Sequence, residues 1–239
     1  MIWLPKKKLV VDCFTSNATA YELFPVDEAI KFVPDWWRNM PKEYEVRGLF
    51  PASTMKRCPA IIESYKHGMM LPLWSDLAIK TNGGTNWEVK FSSPVTSMEP
   101  HDSKQWDAYA SPEDYTHIKL MSPWAFKTKD LVMFNFAKPM WSFPPSNSLV
   151  ITSGIINFQQ QHSTHVNVLL PLQKQNSYVI NAGQPMVQII PLSERELVIK
   201  RHLISEDEYR ARHTNKFSHS FTKGYIKTNA IKKEKKCPF

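Results

Sequence analysis

Residues 154–191, GIINFQQQHSTHVNVLLPLQKQNSYVINAGQPMVQIIP, alternate apolar and polar side chains and are punctuated like adjoining β-strands. Val166, Val168 and Leu170 recur at period two, as do Val187 and Ile189, and such a period places one set of side chains on a single face of a pleated strand. Ile190, directly after Ile189, predicts burial on both faces near the end of its strand. Ala182-Gly183-Gln184-Pro185 separates two of the runs. Gly183 is free to take positive φ there, and Pro185 removes a ladder donor where the next strand begins. A chain built around this stretch is mainly β.

Other strand signals agree. Residues 9–14 (LVVDCF), 115–126, 131–136, 148–152 and 196–203 read as strands, and residues 71–80 and 87–91, joined by Asn82-Gly83-Gly84-Thr85-Asn86, read as a β-hairpin. Short strands at this spacing predict a β-sandwich or jelly roll with a few short helices. Residues 26–32 place Val26, Ile30 and Val33 on one helical face ahead of Pro34, so a helix is expected there. CPAIIESYKHG predicts a second helix, with Pro59 at its first position, Gly68 as the C′ residue and His67 in the last turn against the carbonyl end. Ser205 and Glu208 match a capping box and start a third, running towards Arg212. No long polar linker precedes residue 205, so 239 residues with 42% hydrophobic content read as one β domain, 1–204, followed by a short helix and a basic C-terminal tail, 205–239.

Composition excludes several classes. Eighteen prolines stand against seven glycines, and no GxxxxGK[ST] occurs, so classical P-loop chemistry is excluded. No run approaches the length of a membrane span, and Lys6-Lys7-Lys8 follow the first apolar residues, the reverse of a signal peptide's order. Export by a signal peptide and membrane insertion are therefore not expected. Cys13, Cys58 and Cys237 are far apart and lack CxxC spacing, which argues against a disulfide framework and fits a reducing compartment. Of the net charge of +8, residues 195–239 carry +7, with twelve Lys or Arg against five Asp or Glu. Lys232, Lys233, Lys235 and Lys236 make the tail a candidate contact with an anionic surface, nucleic acid or an acidic protein face, the alternative being a solvated tail.

Candidate site residues are few. Trp36 and Trp37 are adjacent on a short segment and point in different directions, so at most one is expected in the deep core and the other is free to form a lid or contact surface. His101 and Asp102, with Asp107 nearby and His162 or His165 downstream, are the residues from which a metal site could be assembled. Their spacing is poor for one, since His101 and Asp102 are neighbours in a proline-flanked loop. No nucleophile with a base and no carboxylate pair can be picked out.

Two resemblances follow from these motifs. Gly154-Ile155-Ile156-Asn157 and then Ala182-Gly183-Gln184-Pro185-Met186-Val187-Gln188-Ile189 resemble the later motifs of trimeric dUTPases and dCTP deaminases. In those families an aspartate, a tyrosine and a glycine stand where this chain has Asn157, Gln160 and His162, and an amide does not act as a carboxylate base. That likeness implies a scaffold only. FVPDWWRNMP, CPAIIESYKHGMMLPLWSDLAI and AGQPMVQIIP are similar to a family of proteins found in marine T4-like bacteriophages (cyanophages) with more distant bacterial relatives, a resemblance that spans much of the first two hundred residues. It implies a phage origin and a place in the virion or in the cytoplasm of the infected host.

The expected function is non-enzymatic: a structural or binding protein, a bacteriophage virion component in contact with other phage subunits or copies of itself, needing no cofactor. A nucleotide-acting enzyme on a dUTPase-like scaffold and a metal-dependent cupin-like oxygenase using His101, Asp102 and His162 or His165 are the alternatives.

Overall fold

The structure, a computed structural model, describes residues 7–48, 50–93, 97–143, 149–159 and 163–213. Among the described residues the strands run β1 Leu9–Thr15, β2 Asp27–Glu28, β3 Glu43–Tyr44, β4 Ala52–Ser53, β5 Met69–Pro72, β6 Leu77–Asn82, β7 Trp87–Phe91, β8 Met98–Pro100, β9 Tyr115–Lys127, β10 Met133–Ala137, β11 Val150–Ile151, β12 Gly154–Asn157, β13 Ser163–Pro171, β14 Gln175–Ile180, β15 Pro185–Pro191 and β16 Leu197–Leu203. The helices are α1 Ala18–Glu22, α2 Asp35–Arg38, α3 Pro59–Lys66 and α4 Glu206–His213.

The fold is mainly β and sandwich-like. One sheet has the order β11-β13-β9-β1-β16 with β8 also on β9, the second has the order β12-β10-β15-β5-β2, and a three-stranded sheet, β14-β6-β7, adds a further wall. Apolar residues at alternate positions of each sheet meet in one core. Val11, Ile118, Trp124, Phe126, Val166 and Val168 come from the first sheet, Leu71, Phe134, Val187 and Ile189 from the second, and Leu77, Ile79 and Ile180 from the third. Phe158 sits fully buried between Phe126, Phe134 and Phe136, with ring centroids 5.1, 4.7 and 6.0 Å away. A smaller core of Ala29, Val33, Ile61, Tyr65 and Met70 lies under α3.

The strands of residues 154–191 are not neighbours of one another. β13 pairs with β9 and β11, β14 with β6, and β15 with β10 and β5, so successive strands are dealt to three sheets. Period two fixes which side chains face inward but not which strand lies alongside. Residues 26–32 also differ from expectation. Val26 and Val33 are buried but Ile30 is exposed, Asp27–Glu28 pair with β5, and only a 3-10 turn, Ala29–Phe32, remains of the expected helix. The single strand expected over residues 71–80 is two, β5 and β6, separated at Leu73–Asp76. β6 and β7 form the expected hairpin.

α3 begins at Pro59 and is followed by Gly68 at φ 83°, as its sequence predicts. Its carbonyl end is satisfied differently. His67 lies beyond the helix in extended conformation, and it is the Gln188 amide, from β15, that donates to Ser64 O and, at 2.9 Å, to His67 O. α4 carries the expected cap, the Glu208 amide donating to Ser205 Oγ at 3.2 Å. It rests on β9, where the Tyr209 hydroxyl donates to Ser122 O at 3.3 Å. Burial and the nearby Glu206 carboxylate push the Tyr209 phenol well above its usual range.

Candidate functional site

The two tryptophans singled out from sequence sit on α2, which starts after Pro34 and carries Arg38 in its last turn. They have different surroundings. Trp37 is half-buried against the smaller core, its indole N–H donates to Met55 O at 3.3 Å, and Lys56 Nζ lies 4.7 Å over its ring. Lys56 also donates to the carbonyls of Trp37, at 3.0 Å, and Arg38. Trp37 is therefore held within the fold. Trp36 is 43% exposed, and its indole N–H donates to Trp141 O at 3.0 Å. Trp141 is 39% exposed, and the two rings are tilted at 54° with centroids 6.0 Å apart. Neither tryptophan of the adjacent pair is deep core.

Trp141 was not legible in the sequence as a partner of Trp36, because the contact joins positions 105 residues apart. The excursion that contains β3 and β4 exposes Tyr44, Phe50 and Met55. The excursion is tied to α2 through Met55 and Lys56. Lys232, Lys233, Lys235 and Lys236 lie outside the described residues.

The structure does not bring together the residues weighed for a metal; His101 meets a different histidine. His101 follows β8 and His117 stands on β9, and the rings stack at 4.2 Å and 19°. His165 projects from β13 on the far side of β9, opposite Met121. His162 lies outside the described residues. Asp102 turns away from metal chemistry, its carboxylate accepting from the Lys104 amide at 2.9 Å. No group of three or more His, Cys, Asp or Glu among the described residues is placed to hold a metal ion.

His117, which the sequence reading passed over, has Trp106 edge-on at 6.4 Å. Burial, then His101, then Lys119 lower its pKa to about 4. Beside it, Glu99 and Lys119 pair at 2.9 Å, and that bond holds the Glu99 carboxyl below its ordinary value. The signal available in sequence was the alternation of β9, in which Ile118 and Leu120 point inward and so turn His117 and Lys119 outward.

Two residues of the motifs likened to dUTPases, Asn157 and Gln188, are buried. Asn157 is fully buried and its Oδ1 accepts from the Gln159 amide at 2.8 Å. Gln188 is 7% exposed and committed to the carbonyl end of α3. Neither reaches a surface where a nucleotide could meet it.

No family model, curated protein or solved structure matches the chain. The fold itself defines a mainly β, sandwich-like protein. Among the described residues no helix is long and apolar enough to cross a membrane.

Proposed function

We propose that this protein works by binding, as a bacteriophage virion component that contacts neighbouring subunits through the surface around Trp36 and Trp141. The observation that carries the reading is the ordering of an exposed aromatic pair. Each ring is more than a third exposed, yet the Trp36 indole is already fixed on the Trp141 carbonyl. A partner covering these rings would gain apolar burial with the Trp36 rotamer already held, and an anchor ordered in advance favours association. The phage assignment rests on the resemblance of FVPDWWRNMP and its companion motifs. The Lys232, Lys233, Lys235 and Lys236 group is a second contact in this proposal, and its contribution falls as salt rises because exposed charges are screened over about 8–10 Å.

Quantitative mass spectrometry of purified virions tests the assignment. A fixed copy number per particle is the expected result, and presence in infected cells with absence from particles overturns the virion role. For the contact itself, the double substitution Trp36→Ala and Trp141→Ala is expected to cut incorporation roughly tenfold or more, as truncated hot-spot aromatics do. Unchanged incorporation by a folded double variant removes the aromatic surface from the proposal.

A further inference from the structure

β8 is a strap of three residues on β9, with Met98 opposite Leu120, Glu99 opposite Lys119 and Pro100 opposite Ile118. Two backbone bonds extend it, Met121 N to Ser97 O at 3.0 Å and His101 N to His117 O at 2.9 Å. At the end of the strap the His101 and His117 rings stack face to face at 4.2 Å, and Trp106 closes the edge of His117. The Nε2 atoms of both histidines and the Nε1 of Trp106 are buried and have no hydrogen-bond partner among the described residues. His101 Nδ1 is engaged with Gln105 Oε1 at 2.8 Å, so in the neutral ring with Nδ1 donating, Nε2 is left as an acceptor.

We infer that the His101–His117 stack is an acid-released latch, which holds the 98–115 segment on β9 while His117 is neutral and frees it when His117 takes a proton. The reason lies in what surrounds the ring. Protonation would put an N–H on a buried Nε2 that has nothing to donate to, and would set a cation flat against a second imidazole.

The charged groups nearby do not compensate. From β8, Glu99 is already paired with Lys119. On β9 itself, Lys119 adds positive charge. From the loop, Asp102 caps the Lys104 amide. From β13, His165 acts on Glu99 and is a further base rather than a counter-charge. The sign follows. His117 is lowered from 6.5 to about 4 in the closed state, so the open state binds the proton more tightly. The latch is fully closed above the ordinary imidazole value and is progressively released as pH falls from about 6.5 to about 4.

Release would uncover the edge of β9 at Ile118, Lys119 and Leu120, whose backbone β8 now pairs. An unpaired edge beside apolar side chains is a template for another strand. The device therefore converts acidity into a new surface for association.

Hydrogen exchange of the full chain between pH 7 and pH 4.5, corrected for intrinsic rates, tests this. Residues 98–115 are expected to lose protection by up to roughly fiftyfold, while β1 and β15 keep theirs. His117→Phe keeps an aromatic ring in the stack but removes the titration, so its protection in 98–115 is expected to be independent of pH. Equal acid sensitivity in that variant, or simultaneous loss of protection in β1 and β15, overturns the latch. Should His117→Phe not fold, the wild-type ring decides by NMR: a His117 midpoint near or above 6.5 overturns the proposal, and one well below supports it.

Discussion

Gly68 and Gly183 both have positive φ, at 83° and 84°, but a side chain would meet different surroundings at each. A Cβ at Gly68 would stand 2.4 Å from Ile189 O and 3.0 Å from Ile190 Cα, all backbone. At Gly183 it would stand 3.3 Å from the ring of the half-buried Phe24, a side chain rather than backbone. Gly68→Ala therefore combines left-handed strain with a clash that only movement of β15 relieves, and a loss of about 3 kcal/mol or more is expected. Gly183→Val carries the backbone strain and a softer contact, for a loss of about 1–3 kcal/mol. Thermal melting of the two variants checks the order, and an equal or reversed order contradicts it. Both glycines were legible as punctuation, Gly68 as a helix end and Gly183 as a turn. That Gly68 also lies against the backbone of β15 was not, because the contact spans more than a hundred residues. The same limit hid Trp141, whose partner Trp36 on α2 is 105 residues away, whereas His117 depends on the pairing of β8 with β9.

β9 shows how much a single element can say locally and how much it withholds. It is thirteen residues long and alternates from His117 to Trp124, yet Pro123 lies within it. Pairing with β13 slips at this point: Ser163 faces Ala125 whereas His165 faces Met121, so four residues of β9 are spanned by two of β13. The proline has no N–H to give, and the extra residues form a bulge. Beyond the bulge, β9 exchanges one partner for another. Ile118 and Leu120 pair with β8, and Ala125, Phe126 and Lys127 with β1.

Within the bulge the Trp124 amide turns to Ser122 Oγ at 3.1 Å, and Ser122 O accepts from Tyr209. α4 is thus docked by a carbonyl in the bulge. Tyr209→Phe is expected to leave the sandwich folded but to raise exchange in 206–213 several-fold, as loss of one hydrogen bond worth about 1 kcal/mol does. Unchanged exchange would show that the remaining contacts, the Ser16–Glu206 hydrogen bond among them, hold the helix. β15 plays the corresponding role for α3. Gln188→Leu leaves two carbonyls of Ser64 and His67 without their donor and is expected to cost about 1–3 kcal/mol by denaturant melts. A neutral effect would mean water replaces the amide.

At the scale of the whole molecule, the class was legible and the topology was not. Strand number, proline punctuation and period two specify a sandwich-like β protein, but assignment of strands to sheets depends on pairings between distant residues. The same long-range pairing governs cooperativity. β5 is buried along its length, with Met69 and Leu71 in the main core and Met70 in the smaller core under α3. It is also hydrogen-bonded to β15 on one side and β2 on the other. The smaller core has no sheet of its own and shares this strand with the larger, so neither can lose its packing without disturbing the backbone that serves both. Unfolding is therefore expected to be a single transition. Ile61→Ala, in α3 and 4% exposed, is expected to remove about 2–5 kcal/mol. It should lower the denaturant midpoint read in α3 and in β13 by the same amount, with residue-resolved hydrogen exchange as the probe. If α3 instead loses protection at low denaturant while β13 keeps the wild-type midpoint, the layer under α3 is a separate folding unit, and β5 does not couple the two cores.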